Sequence, residues 1–286
     1  MNIDIMLQVK ASLGKPDVRD AQNKRNSLVP PKVGEEEFDN LVPDVAQYGR
    51  VQFWDQRYIQ ESEPFEWYYP FEYFKGAVLD NIAFDKKVMI AGCGTSNMPE
   101  DLIIEGYKNV IGQDISRVAI KMQEIRCKHL SENVKFMTGN MTDMDLQDGF
   151  VDAIIDKALL DSLYCSAMGE TVVAQYVNEV IRLLSAEGVF IVISYLPPED
   201  CLPLLEQFDI DEPYYTPWLI EVQAVLKPPQ FESERMDFDD PSHLYWVYIA
   251  TKKGWMVKLK EQRENKLKLK MKKAKTKKPT KKAPNL

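Results

Sequence analysis

The stretch Val88–Leu102, VMIAGCGTSNMPEDL, decides how the rest of the chain is read. An apolar run enters a Gly-x-Gly turn at Gly92 and Gly94, and a helical pattern follows. Glycines lacking a Cβ let the backbone touch a ligand, and a helix start behind them offers free N–H groups and the positive end of its dipole. Such a turn is typical of nucleotide-like ligands, although a glycine pair after a strand can also be no more than a tight connection.

Outward from this turn, strand and helix signals alternate. KVMIAGC reads as a strand, NMPEDLIIEG as a helix ending near Gly106, NVIGQDI as a strand, RVAIKMQEIRCKHL as a helix and VKFMTGN as a strand. VDAIIDK is a fourth strand, TVVAQYVNEVIRLLSAEG a helix closing at Gly188, and GVFIVISY a fifth strand. Strands separated by helices of this length imply parallel βαβ units with right-handed crossovers. WLIEVQAVLK and LYWVYIATKK then follow with no long helix between them, so the last strand, at 244–252, should run antiparallel. The expected fold is α/β, a seven-stranded doubly wound Rossmann-like sheet with an antiparallel last strand.

The second term of the ligand reading is Asp114, at the carboxyl end of NVIGQDI. An acid there can accept both hydroxyls of a ribose, or it can cap the helix that begins near Ser116. A dinucleotide fingerprint would need glycine at position 97, which is Asn97. The chain also lacks a second mononucleotide-binding half, and its reversed last strand fits a methyltransferase sheet. S-adenosyl-L-methionine is therefore the expected cofactor.

Composition narrows the remaining chemistry. With 286 residues, 45% hydrophobic and 28% charged, the chain suits one full-sized α/β domain with extensions. Only His129 and His243 are present, and Cys93, Cys127, Cys165 and Cys201 form no CxxC pair, so neither a metal centre nor a disulfide scaffold is indicated. No apolar run reaches the ~20 residues of a membrane span, and no signal or transit pattern opens the sequence, so a cytoplasmic location is expected. From Lys252 onward, 15 Lys and Arg face only Glu261 and Glu264, a net +13, leaving −21 for the rest of a chain whose total is −8. An acidic body attracts basic protein partners. The tail can contact acidic partners non-specifically or simply remain solvated.

Residues 1–45 show no sustained period and read as a loosely ordered extension, 46–256 as the S-adenosylmethionine-dependent domain, and 257–286 as a disordered Lys-rich tail. The aromatic-rich stretch from Tyr48 to Ile82 suggests two short helices around the Glu61–Pro64 break.

The pieces YGRVQFWDQRY, PFEWYYPF, IAGCGTSN, GQDIS, GNMTDM and AIIDKALLDSL occur in this order from about Tyr48 to Lys253. In this the chain resembles the methyltransferase-like family of class I S-adenosylmethionine-dependent enzymes, and within it the lysine methyltransferases of elongation factor 1-alpha. The resemblance implies an aromatic lid of Trp54, Tyr58 and Trp67 over the methionine end of the donor, with Gly92 and Gly94 beneath it. It implies Asp114 on the ribose, Ile115 beside the adenine, Asn140 and Met141 flanking it, and Lys157 at the pocket floor. Aromatic faces attract a sulfonium cation, yet Trp54 and Trp67 can equally be core, and Phe53, Phe71 and Phe74 read as core.

Two positions depart from the family. Asn140 stands where relatives often have Asp, and D-K-A-L-L-D replaces D-K-G-T-L-D, which alters the acceptor side. Asp156 is the candidate for orienting an acceptor amine and Tyr195 for lining its channel. Each can also be structural, Asp156 as a helix cap and Tyr195 as a packed ring, and Asp161 reads as a helix-surface or cap residue. Two other functions stay open: methylation of a small molecule or a protein N-terminus, and a non-catalytic scaffold that retains the fold.

Overall fold

The computed structural model describes residues 48–61, 63–166, 168–206, 217–229 and 236–253. The N-terminal extension and the Lys-rich tail expected from the sequence lie outside these residues.

Seven strands form one sheet: β1 (Lys87–Ala91), β2 (Asn109–Asp114), β3 (Val134–Thr138), β4 (Val151–Lys157), β5 (Leu184–Ser194), β6 (Trp218–Leu226) and β7 (Leu244–Lys252), in the order β3-β2-β1-β4-β5-β7-β6. β1 to β5 pair in parallel, and β7 runs antiparallel to both β5 and β6. The expected seven-stranded sheet with its reversed last strand is what forms. Chain direction diverges from the centre: β1 leads outward through β2 to β3, while β4 leads the other way to β5. A crevice therefore opens at the carboxyl ends of β1 and β4, where open α/β sheets hold ligands.

Among the described residues the α-helices are α1 (Val51–Gln60), α2 (Lys75–Leu79), α3 (Met98–Glu105), α4 (Arg117–Arg126), α5 (Leu159–Tyr164), α6 (Gly169–Leu183) and α7 (Pro198–Glu206). Alternation along β1 sends Met89 and Ala91 into the core on one face of the sheet and Val88 and Ile90 into the core on the other. On α6, Val173, Tyr176, Val177, Val180 and Leu183 form one buried stripe at helical spacing. Burial of each such aliphatic side chain contributes about 1.5–3 kcal/mol. Phe71 and Phe74 are core residues, as expected. α3 closes on Gly106 in the left-handed conformation (φ 116°), the capping role read from the sequence.

Three local readings are corrected. α6 ends at Leu183 rather than Gly188, because Leu184 already pairs with Val151 in the sheet; Ser185–Gly188 form an irregularity before Val189 pairs with Ala153. After the Glu61–Pro64 break, helical structure resumes only at Phe71, as a 3-10 turn followed by α2. α7, which carries Pro203 in its interior, was not anticipated, while α5, the helix expected around Asp161, is only six residues long. Among the described residues no helix is long and apolar enough to cross a membrane.

Candidate active site

The turn after β1 is tied to the end of β2. Cys93 N–H donates to the Gln113 carbonyl (2.8 Å), Gly92 N–H to Gln113 Oε1 (3.3 Å) and Gly94 N–H to Asp114 Oδ2 (2.8 Å). Gly92 (φ 62°) and Gly94 (φ 49°) both adopt the left-handed conformation. A Cβ on Gly94 would lie 2.7 Å from the Tyr58 hydroxyl, so lid and turn meet where only glycine fits. The turn's carbonyls are held from behind by α4: Gln123 Nε2 donates to Gly94 (2.9 Å) and Ser96 (2.8 Å), and Arg126 Nη1 to Thr95 (2.8 Å). Two polar residues three apart on one helix face, Gln123 and Arg126, were the only trace of this support in the sequence.

The start of α3 is used differently from the sequence expectation. Its first N–H groups do not point freely at a ligand: Asn97 N–H donates to Glu66 Oε1 (2.6 Å) and Met98 N–H to Ser96 Oγ (3.1 Å). Ser96 Oγ donates to Glu66 as well. Glu66 also forms a buried ion pair with Lys157, whose Nζ donates to the Tyr69 carbonyl (3.1 Å). Lys157 thus lines the cavity while anchoring the upstream aromatic segment to β4. Burial holds its pKa below the ordinary lysine value even though Glu66 opposes that shift.

A cavity of about 200 Å³ lies over these strand ends. Trp54, Tyr58, Trp67, Gly92, Gly94, Asp114, Ile115, Asn140, Met141, Lys157 and Tyr195 all line it. Its aromatic wall is a stack in which Tyr48 lies on Trp54 (ring centroids 5.7 Å) and Trp54 on Tyr58 (6.0 Å), with Trp67 edge-on to Trp54 (6.3 Å). Trp54 Nε1 donates to the Tyr48 carbonyl (2.7 Å), which fixes the indole within the stack that forms this wall. α1, which carries Trp54 and Tyr58, is secured by Asp55, whose Oδ1 accepts the Ser116 hydroxyl at 2.5 Å.

Asp114 is buried beneath this lid. Its Oδ1 accepts Ser116 N–H (2.8 Å) and its Oδ2 accepts Gly94 N–H. The helix cap itself is Ser116, whose Oγ accepts Ala119 N–H (3.2 Å). Burial pushes the Asp114 carboxyl up to about 6, opposed by these N–H groups, so it is anionic at neutral pH. A carboxylate has about four acceptor positions. The backbone N–H groups of Gly94, Ser116 and Ile115 are all directed at it, and the acceptor capacity that remains faces the cavity, so the residues fit a ribose-bearing donor. Asn140 Oδ1 accepts Thr142 N–H (3.1 Å) and retains a second lone pair.

The two acids of the D-K-A-L-L-D run occupy different surroundings. Asp156 is 0% exposed and is not among the residues lining the cavity. It caps α5, accepting Leu159 N–H (2.7 Å), Leu160 N–H (3.0 Å) and the Tyr176 hydroxyl (2.8 Å). Asp161, read from the sequence as a surface or cap residue, is instead 4% exposed and lines the cavity. Ser194 Oγ donates to its Oδ1 (2.5 Å) and the Tyr68 hydroxyl to its Oδ2. The structure therefore brings Asp161, not Asp156, to the cavity beside Tyr195.

Burial pushes the Asp156 carboxyl up to about 7, against its hydrogen bonds from Tyr176, Leu159 and Leu160. Its folded pKa then exceeds its unfolded value, so its protonation stabilises the fold. That contribution is complete below about pH 4 and is lost as pH rises to about 7. Comparing urea unfolding of Asp156→Asn and wild type across this window should show the stability difference changing by up to about 1.4 kcal/mol per pH unit. A pH-independent difference would contradict the assignment.

Comparison with known proteins supplies the family context. A family model described as "Methyltransferase domain" matches residues 84–268, well over half the chain. The mouse protein named EEF1A lysine methyltransferase 4 is 29% identical over 184 residues, 61% of this chain and 69% of that protein. The bovine protein named eEF1A lysine and N-terminal methyltransferase is 30% identical over 159 residues, 54% of this chain, but this chain spans only 23% of its length. Among solved structures, a Methanosarcina mazei SAM-dependent methyltransferase aligns with a TM-score of 0.45 at 16% identity, over 62% of this chain and 96% of that one. At that score the fold assignment rests on the strand order above. The family match begins after the aromatic lid, so Trp54, Tyr58, Glu66 and Trp67 precede it.

Proposed function

This chain belongs to the methyltransferase-domain family and is an S-adenosylmethionine-dependent methyltransferase; we propose that its acceptor is a lysine side chain of translation elongation factor 1-alpha. The observation carrying this acceptor is the similarity to the mouse protein named for that activity, over 69% of its length.

When bound, S-adenosylmethionine supplies an electrophilic methyl on a sulfonium centre. The chain's residues hold and enclose it. Asp114 accepts from the ribose hydroxyls, Ile115, Asn140 and Met141 bound the adenine, and the Gly92–Gly94 turn allows close approach. The faces of Trp54, Tyr58 and Trp67 favour a cation by about 0.5–2 kcal/mol according to desolvation. A lysine must lose its proton before it can act as a nucleophile, at a cost of about 4 kcal/mol near pH 7.4. Apolar walls around the amine reduce that cost by disfavouring the charged form. The rest of the rate comes from positioning the two reactants in line and excluding water.

The test is incubation of the purified chain with elongation factor 1-alpha and methyl-labelled S-adenosylmethionine, with the labelled peptide identified by mass spectrometry. Label on a lysine is expected. Label at the N-terminus would support the second reading, which the printed name of the bovine relative favours. An unlabelled factor, with a chain that binds the donor, would contradict both.

A further inference from the structure

The cavity crosses the sheet, and its two ends carry different chemistry. Over β1, β2 and β3 lie the Gly92–Gly94 turn, Asp114 and Asn140, the groups suited to an adenosine. Over the ends of β4 and β5 lie Asp161, Tyr68 and Tyr195. The sheet order β3-β2-β1-β4-β5 separates these groups in space.

Asp161 is held only by neutral donors: the Ser194 hydroxyl, the Tyr195 backbone N–H and the Tyr68 hydroxyl. Among the described residues no Lys, Arg or His forms an ion pair with it. Burial raises its pKa to about 6, so at neutral pH it is a buried anion facing a cavity. Buried carboxylates are ordinarily paired. This one has hydroxyls to orient it and no cation to neutralise it.

Tyr68 is placed deliberately. Its φ of 64° is a conformation that bulky residues rarely adopt. It is fixed on both sides, by Glu66 paired with Lys157 and by the Tyr69 carbonyl accepting from Lys157 Nζ. Its ring lies 4.7 Å from that of Tyr245 and its hydroxyl is on Asp161. The effect is a carboxylate that accepts from the Tyr68 hydroxyl and the Tyr195 backbone N–H in a cavity that the side chains of both tyrosines also line, Tyr195 being 45% exposed.

The geometry points to Asp161, flanked by Tyr68 and Tyr195, as the subsite that receives the protonated amine of the acceptor. This rests on the reading above that the acceptor is an amine, but not on which protein carries it. A carboxylate and aromatic faces together recognise an alkylammonium. Because a carboxylate favours the charged amine, it opposes the apolar walls while it captures and aims the ammonium, which then releases one proton to bulk water before the neutral amine can accept the methyl group. The cationic chemistry could also come from the donor, through its sulfonium or its α-ammonium, and the experiment separates these sources.

Wild type, Asp161→Asn and Tyr68→Phe are compared in two measurements. Calorimetry gives affinities for S-adenosylmethionine and for S-adenosylhomocysteine, which lacks the sulfonium. Saturation-transfer NMR, with S-adenosylhomocysteine saturating, reports binding of N-acetyl-lysine methylamide, with the norleucine analogue as uncharged control. The expected result is a lysine signal in wild type that falls at least about tenfold in Asp161→Asn, the loss of one charge-assisted hydrogen bond. A smaller fall is expected in Tyr68→Phe, with both donor-side affinities within about threefold of wild type.

Selective weakening of S-adenosylmethionine over S-adenosylhomocysteine would place Asp161 at the sulfonium and overturn the inference. Equal weakening of both in a folded Tyr68→Phe variant would place the pair at the donor's amino-acid end and also overturn it. Undiminished amine binding in Asp161→Asn, or none in wild type, would do the same. Should Asp161→Asn fail to fold, Tyr68→Phe decides. An intact, Asp161-dependent amine signal with an unmethylated elongation factor would refute the acceptor proposed above and leave this subsite standing.

Discussion

Glu66→Ala is expected to lower the unfolding free energy by about 3–5 kcal/mol, the usual consequence of removing one partner from a buried ion pair. Lys157 is buried in β4, and its Nζ meets Glu66 and the Tyr69 carbonyl. Without Glu66 the ammonium loses its counter-charge, and the Ser96 hydroxyl and Asn97 N–H lose their acceptor at the same time. Urea unfolding followed by circular dichroism and by tryptophan fluorescence measures the loss. Fluorescence reports whether the segment bearing Trp67 leaves first. Glu66→Leu combined with Lys157→Met should recover much of the stability, since an apolar pair leaves no stranded charge. A loss within about 1 kcal/mol, the range of an exposed pair, would contradict the clamp.

Asp114→Ala is expected to reduce affinity for S-adenosylmethionine by at least about 100-fold, because hydrogen bonds from two hydroxyls to a carboxylate contribute about 1.5–3 kcal/mol each. The desolvated position of the acid makes the effect large, as water replaces those bonds poorly in a buried site. The variant also deprives Gly94 N–H and Ser116 N–H of their acceptor, so a melting curve must accompany the calorimetry. Asp114→Asn should fall between wild type and alanine, since its amide keeps one acceptor oxygen. A folded Asp114→Ala variant binding within about threefold of wild type would remove Asp114 from the donor site.

What the sequence revealed and what it hid follow one physical division. Strand periodicity, the glycines of the turn and an acid at the end of the next strand are local features; they were enough for the sheet and its reversed strand, and Gly92, Gly94 and Asp114 line the cavity. The groups that complete the site meet across long separations: Glu66 reaches Lys157, Tyr68 reaches Asp161, and Tyr176 reaches Asp156. No spacing rule in a single chain connects such pairs. The exchange of roles between Asp156 and Asp161 had a fainter local sign. An Asp three residues before an apolar turn is a capping signal; the sequence left both capping and amine-orienting roles open for Asp156, and offered nothing that aims Asp161 at the cavity. Six residues give α5 too few turns to show a period, so only its capping acids announced it, and Pro203 hid α7.

The central claim is that this cavity binds S-adenosylmethionine, and the most direct measurement is a calorimetric titration of the donor into the purified wild-type chain. The account predicts one site per chain with a Kd in the micromolar range. A folded chain that takes up no S-adenosylmethionine would contradict it.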